Sequence, residues 1–337
     1  MMRCEYLLYP DCVIVNGASK SAIYDLRRGK ILFIPDSLYD ILDKYKGFPF
    51  SKLKQLYPKE HDTIIEYLKF LLSEDLLFKT ESNVLFDNLS LFFETPYVID
   101  NIIIDINATS NHDYNKISNE LQYLGCPNIL FRFYDKITVP SLIEILHVFL
   151  DSRVRDIVIL LPYQPFITKE IKKNILKLRI VSEITIHSSP CNRLAKFQDL
   201  RFVFTTKKIV DESHCGAISL RNFSININMF LDSKNYNNCL HKKISIDRSG
   251  NIKNCPSSPI NYGNHSNCSL IDAVNKEGFK KMWYIKKDDI DSCKLCVFRY
   301  MCIDCRIYLS DSDNVLSKPL KCRYDVYKDN DEDNLRI

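Results

Sequence analysis

Along this chain the spacing of apolar positions changes character three times. From the N-terminus, short β-rich runs (CEYLLY, VIVNG, SAIYDL and KILFIP) are broken at Pro10, Gly17 and Gly29 and predict strands. The period then lengthens. Asp36 is predicted to cap a helix carrying Leu38, Ile41 and Leu42 on one face, and His61 to Leu72 repeats apolar residues at i, i+3, i+4 and i+7. LLFKT closes the region as a strand. Strands, helices and a final strand within residues 1–81 give the order of a small winged-helix-like domain. Its last helix carries Glu66 and Lys69 instead of a basic row, so contact with nucleic acid is not expected.

The second region, residues 95–232, alternates apolar runs with amphipathic segments. NIIIDIN, NILFRFY, RDIVILLP and EITIHS begin at Asn101, Asn128, Arg155 and Glu183, a spacing of about 27 residues. That is a βα repeat, and its few units predict an open or partial barrel instead of a complete eight-unit one. No Gly-rich phosphate loop follows any of these strands, and the chain holds 8 glycines in all, so a nucleotide site is not expected here.

Composition narrows the picture. A chain of 337 residues with 46% hydrophobic content has material for two or three cored domains, and its net charge of +4 is too small to argue for a polyanionic partner. No apolar run reaches the roughly 20 residues of a membrane span, and the N-terminus has no signal-peptide pattern, which predicts a cytoplasmic protein without a membrane partner. Thirteen cysteines in a reducing compartment point to metal where they cluster and to core packing where they scatter, as at Cys4, Cys12 and Cys126.

They cluster in the third region, residues 235–325. Cys239 and Cys255 flank a hairpin signature with its turn at Ser249-Gly250. Cys293, Cys296, Cys302 and Cys305 follow with two, five and two residues between them, and Cys322 trails after a gap of sixteen. A two-residue spacing lets neighbouring thiolates converge on one metal or one cluster face. Zinc uses four ligands per ion, and seven thiols fall one short of two closed zinc sites. An iron–sulfur cluster tolerates an open iron or a more distant ligand. Iron–sulfur clusters are the first expectation and zinc the alternative.

This array resembles the SPASM domain, the auxiliary-cluster module at the C-terminus of many radical-SAM peptide-modifying enzymes. It does so in Cys239, in Gly250 four residues before Cys255, in the Cys293/Cys296/Cys302/Cys305 block and in the trailing Cys322. With VNGASKSAIYDLRRGKILFIPDSLYDIL near its start, the chain further resembles the peptide maturases of grasp-with-spasm systems. The resemblance implies an α/β protein of three parts: a leader-recognition domain, a radical-SAM-like partial β/α barrel and a SPASM domain holding two 4Fe-4S clusters. It implies a precursor leader peptide and an ATP-grasp ligase as partners. By the same likeness, Cys293, Cys296, Cys302 and Cys322 would hold one cluster, and Cys239, Cys255 and Cys305 the other. The second set lacks a fourth ligand, for which Cys215 is the leading candidate and Cys268 the next. Leader pairing at the edge of the N-terminal sheet would use pockets beside it, lined by Tyr24, Leu26 and Leu38.

The chain also departs from the family. After NIIIDIN comes ATSNHDYNKISNE, without the three cysteines that hold the SAM-cleaving cluster, and His112 cannot replace them. Ordinary radical-SAM activity and a SAM cluster are therefore not expected. Two residues separate Cys302 from Cys305 where the family usually has three. Arg299, Tyr300 and Arg306 are expected as surface or packing groups instead of donors to cluster sulfur. Asp105 is expected to be a buried carboxylate satisfied by backbone donors. His214 and Cys215, adjacent in an extended segment, are expected on opposite faces with no catalytic role. Trp283 and Tyr284 are expected to anchor the small core of the cysteine region. The tail, residues 326–337, is acidic and expected to be solvated. Three function classes follow: an accessory maturase, an enzyme using an open cluster for redox or Lewis-acid chemistry, and a zinc-stabilised winged-helix regulator.

Overall fold

The computed structural model of the chain describes residues 5–45, 50–80, 89–165 and 167–328. Cys4 and the acidic end of the tail lie outside the described residues.

The middle region is a mixed α/β layer built on one large sheet. Strands β6 (Asn101–Ile106), β7 (Asn128–Phe133), β8 (Asp156–Pro162), β9 (Val181–His187) and β11 (Leu200–Phe204) lie parallel, with β10 (Arg193–Phe197) antiparallel beside β11 at one edge. At the other edge β12 (Lys243–Ile246) joins β6 in parallel and turns back as β13 (Ile252–Lys253). Among the described residues the sheet therefore has eight strands, with β10 and β13 at its two edges. Crossovers run through α4 (Tyr114–Leu124), α5 (Val139–His147) and α6 (Ile167–Asn174). The Asp113 carboxylate caps α4 by accepting from the Lys116 backbone N–H, and Gly125 ends the helix at φ 70°, a left-handed position that glycine takes without strain.

Alternate positions of the strands explain the core. Ile102 and Ile104 of β6, Phe131 of β7, Ile157 and Ile159 of β8 and Ile184 and Ile186 of β9 are buried in one continuous apolar cluster. Each such side chain contributes about 1.5–3 kcal/mol by leaving water. Because β6 is buried along both faces, its residues read as an apolar run broken at Asp105. The strand of the cysteine hairpin extends this same sheet, so the second and third regions share a core that includes Trp283. Tyr284, by contrast, is 61% exposed and anchors nothing. Its side chain lies on the outer face of a short 3-10 turn whose inner face Trp283 occupies.

At the N-terminus, β2 (Cys12–Val15), β3 (Ser21–Asp25) and β4 (Lys30–Ile34) form an antiparallel meander. Helices α1 (Asp36–Lys44), α2 (Phe50–Leu56) and α3 (His61–Ser73) follow, and β5 (Leu77–Thr80) returns to pair with β1 (Glu5–Leu8) in a separate two-stranded sheet. The order of elements matches the sequence reading, but Asp36 does not cap α1. It lies in the first turn, where it accepts from the Ser21 hydroxyl at 2.7 Å, and Pro35 takes the cap position.

β3 is buried on both faces. Ile23 packs with Leu38 and Leu42 under the helices, whereas Tyr24 and Leu26 pack with Val297, Phe298 and Met301 of the cysteine region. The Tyr24 hydroxyl donates to the Val297 carbonyl at 2.5 Å. The expected peptide pockets of Tyr24, Leu26 and Leu38 are thus filled by the protein's own side chains, since all three are 5% exposed or less. The reason is that the meander is clamped between two cores. Val326, counted with the tail in the sequence reading, is buried in the second of these cores.

Candidate metal centre

The cysteine region builds two groups of thiols. In the first, a 3-10 turn over Cys293–Leu295 closes with the Cys296 N–H donating to the Cys293 carbonyl at 2.9 Å, which brings the first pair of thiols round one turn. The Cys302 N–H donates to the Phe298 carbonyl at 3.1 Å and continues the winding. An isolated bridge between Leu309 and Pro319 then folds the chain back to deliver Cys322. Cys293 and Cys302 each feel the neighbouring Cys322 thiol, and Cys296 feels Cys302 and Cys293.

Beside three of these four stands Lys287, 3% exposed, its Nζ 3.6 Å from Cys302 Sγ and 3.7 Å from Asp304 Oδ1. Burial opposes its charge, but the Asp304 carboxylate and the thiols of Cys302, Cys293 and Cys296 outweigh burial and hold it above the ordinary lysine range. Burial likewise pushes the Cys296 thiol up to about 12 and the Cys302 thiol up to about 11. Thiols this reluctant to ionise keep their protons until a metal displaces them.

The second group gathers from farther apart in the chain. The β12–β13 hairpin sets Cys239 and Cys255 on its two ends, with Gly250 at φ 84° in its turn. Cys305 feels Cys239, and Cys255 feels both Cys239 and Cys215. Lys243 stands among three of them. Its Nζ lies 3.6 Å from Cys239 Sγ, and Cys239, Cys255 and Cys215 together offset the burial that works against its charge. Gly216, at φ 78°, lets the chain pass close to this group, because a Cβ there would stand 3.2 Å from Cys305 Sγ. Burial pushes the Cys255 thiol up to about 12.

The structure therefore brings Cys215 to the second group and leaves Cys268 elsewhere. The Cys268 sulfur lies against its own loop, 3.8 Å from the Tyr262 carbonyl and 3.5 Å from that of Ser269. Among the described residues no three Cys, His, Asp or Glu side chains converge so that one ion could be held. A tetrahedral zinc needs that convergence, with sulfurs about 2.3 Å from a single centre. A polynuclear cluster does not, because each thiolate meets a different iron. Both groups consist of reduced thiols, and each lies beside a cation that would offset the charge of a bound anionic cluster.

Several neighbours differ from expectation. Asp105 takes side-chain partners in place of backbone donors: Arg132 Nε at 2.6 Å, Arg132 Nη2 at 2.7 Å and the Tyr134 hydroxyl at 3.1 Å. Asp105 and Arg132 occupy the same register on β6 and β7, so the sheet itself aligns them. The 3-10 turn Glu212–His214 turns the His214 ring to within 3.8 Å of Cys215 Sγ, on the same side and not the opposite one. His214 Nδ1 donates to the Asp211 backbone carbonyl at 2.7 Å, so its partner there is a carbonyl and not a carboxylate. His112 is buried against the Asp105 carbonyl and His265, away from both thiol groups. Arg299, Tyr300 and Arg306 are packing groups as expected, bonded to Asp288, Asp304 and backbone carbonyls.

Sequence reasoning passed over Lys243, Lys287 and Arg132. Lys243 follows Cys239 by four residues inside the hairpin, a spacing that could have drawn notice. Lys287 and Arg132 reach the thiols through tertiary folding and leave no local signal. Among the described residues no helix is long and apolar enough to cross a membrane.

No family model matches the chain, and no curated protein matches it. Among solved structures, Streptococcus suis SuiB bound to S-adenosylmethionine is similar at TM-score 0.35 and 12% identity, over 96% of this chain and 100% of that one. SuiB bound to its precursor peptide SuiA gives TM-score 0.33 and 10% identity, over 90% of this chain and 96% of that one.

Proposed function

We propose that this chain is a peptide maturase or accessory maturase of graspetide-type ribosomal peptide biosynthesis, working beside an ATP-grasp ligase in the cytoplasm. In this reading it holds two 4Fe-4S clusters, one on Cys293, Cys296, Cys302 and Cys322 and the other on Cys239, Cys255, Cys305 and Cys215. The observation that carries the reading is the gathering of eight thiols into two groups, three of the first beside Lys287 and three of the second beside Lys243, in an array that resembles the SPASM domain. When bound, such clusters supply one-electron redox capacity and local structure. The protein's own residues keep them from water and offset their charge.

The segment after β6 supports the expectation that no SAM-cleaving cluster is held. It leads through the Asp113 cap into α4 without a cysteine. Anaerobic protein mixed with S-adenosylmethionine and dithionite should yield no 5′-deoxyadenosine, and turnover would sink this part of the reading.

Leader binding is proposed at the edge strand β4. It ends the order β2-β3-β4, and most of its side chains are exposed or half-buried. An added strand gains affinity from backbone pairing there, while the buried Tyr24, Leu26 and Leu38 hold the edge rigid instead of reading the peptide. The test is hydrogen exchange of the full chain with and without a synthetic leader. Protection confined to residues 30–34 is expected, and protection everywhere except that strand would overturn the assignment.

A further inference from the structure

The Arg132 guanidinium spends two of its arms on one partner and the third on another. Nε and Nη2 grip the two oxygens of Asp105 at 2.6 and 2.7 Å, and Nη1 reaches Cys215 Sγ at 2.9 Å. Arg132 and Asp105 are both 1% exposed or less. The Tyr134 hydroxyl holds the far side of the same carboxylate, and the Arg248 guanidinium lies 5.5 Å from the centre of the Tyr134 ring. The fork is therefore fixed in place before any cofactor arrives, and its free arm points at a single sulfur.

Donors to sulfur also differ elsewhere between the two groups, with Ser257 on Cys255 and Ile307 on Cys305 found in the Cys215 quartet. The Cys296 quartet has the Phe298 N–H on Cys296 at 3.4 Å and the Lys287 ammonium at 3.6 Å from Cys302. The Cys215 quartet has the Tyr308 N–H on Cys305 at 3.5 Å and the Lys243 ammonium at 3.6 Å from Cys239. Of the contacts with stated distances the one from Arg132 is the shortest, and it is the one made by a buried guanidinium. Hydrogen bonds to ligand sulfur withdraw electron density and stabilise the more negative, reduced cluster.

We propose that Arg132 is a positioning residue that sets the two clusters at unequal potentials, with the Cys215 cluster the more easily reduced. The inference rests on the cluster reading above. A one-electron donor such as dithionite gives its first electron to the Cys215 cluster and its second to the other, each cluster gaining one negative charge. The electron that enters first then lies beside the C-terminal ends of β6 and β7.

The test is an anaerobic redox titration of the full chain with dithionite, followed by electron paramagnetic resonance. Wild type should show two signals with separate midpoints. Arg132→Met combined with Asp105→Asn removes both charges together and leaves no orphaned carboxylate. Arg132→Lys keeps an ion pair with Asp105 but lacks the third arm. In both, the higher midpoint should move to more negative potential while the lower stays and the iron content is unchanged. A merely structural role for Arg132 would lower iron content without moving a midpoint. Midpoints equal to wild type in both variants, with iron retained, overturn this inference alone. Wild type that holds no iron overturns the cluster reading and this inference with it.

Discussion

Lys287 Nζ stands 3.6 Å from Cys302 Sγ and 3.7 Å from the Asp304 carboxylate, in a part of the structure where all three side chains are buried. Lysine is rarely buried unless paired. Here the carboxylate balances the ammonium, and Asp304 in turn holds Arg306 at 2.8 Å and accepts from Asn237 at 2.7 Å.

That asymmetry separates two substitutions. Lys287→Met leaves Asp304 still paired with Arg306, so we expect a loss of about 1–3 kcal/mol in the metal-free protein. Asp304→Asn leaves two buried cations short of their counter-ion, and the loss should rise to about 3–5 kcal/mol. Urea unfolding of both variants gives the comparison. Equal losses would mean that Asp304 does not organise this centre.

Gly216 offers a way to disturb one thiol group and spare the other. An alanine there meets Cys305 Sγ at 3.2 Å and must adopt φ 78°, which costs a non-glycine residue about 1–2 kcal/mol. Gly216→Ala should lower the iron content by about half if each quartet holds one cubane, since a four-iron cluster is then lost of two. Loss of iron from both groups alike, read by metal analysis, would count against independent sites.

The His112–His265 pair makes a pH prediction. Their ring nitrogens Nδ1 and Nε2 are 3.3 Å apart, and burial lowers the pKa of both below the ordinary histidine value, with each ring's neighbours adding to or offsetting this. For His265 the His112 ring and Lys116 reinforce burial, and Asp113 opposes it; for His112 the Asp105 carbonyl and Asp247 oppose it. A histidine with a depressed folded pKa gives stability that is complete above the unfolded value, near about 6.5, and is lost as pH falls through the folded value. The thermal midpoint should hold between about pH 8 and 7 and decline below about 6.5. His265→Gln should flatten part of that decline. An unchanged acid slope in the variant would show that other groups set it.

Much of this arrangement was legible in the sequence, for identifiable reasons. The apolar runs at Asn101, Asn128 and Arg155 became β6, β7 and β8 because a parallel strand buried on both faces needs a continuous apolar run. The Cys239–Cys255 hairpin was readable because Ser249-Gly250 encodes its turn locally. What stayed hidden was long-range. That Tyr24 would pack on Val297, or that Arg132 would reach Cys215 across 83 positions of sequence, depends on how the regions dock. The same is true of the choice between Cys215 and Cys268, which no spacing could decide. Asp36 was misplaced because Ser21, a strand away, offered it a better partner than its own helix.

The most direct measurement is iron, acid-labile sulfide and zinc content of the anaerobically purified chain, compared with Cys296→Ser and Cys215→Ser. Two cubane clusters give about eight iron and eight sulfide per chain, with broad brown absorption, and each serine variant should lose about half. Zinc at about two per chain without sulfide, or a Cys215→Ser variant that keeps all its iron, would contradict two clusters held by these eight thiols.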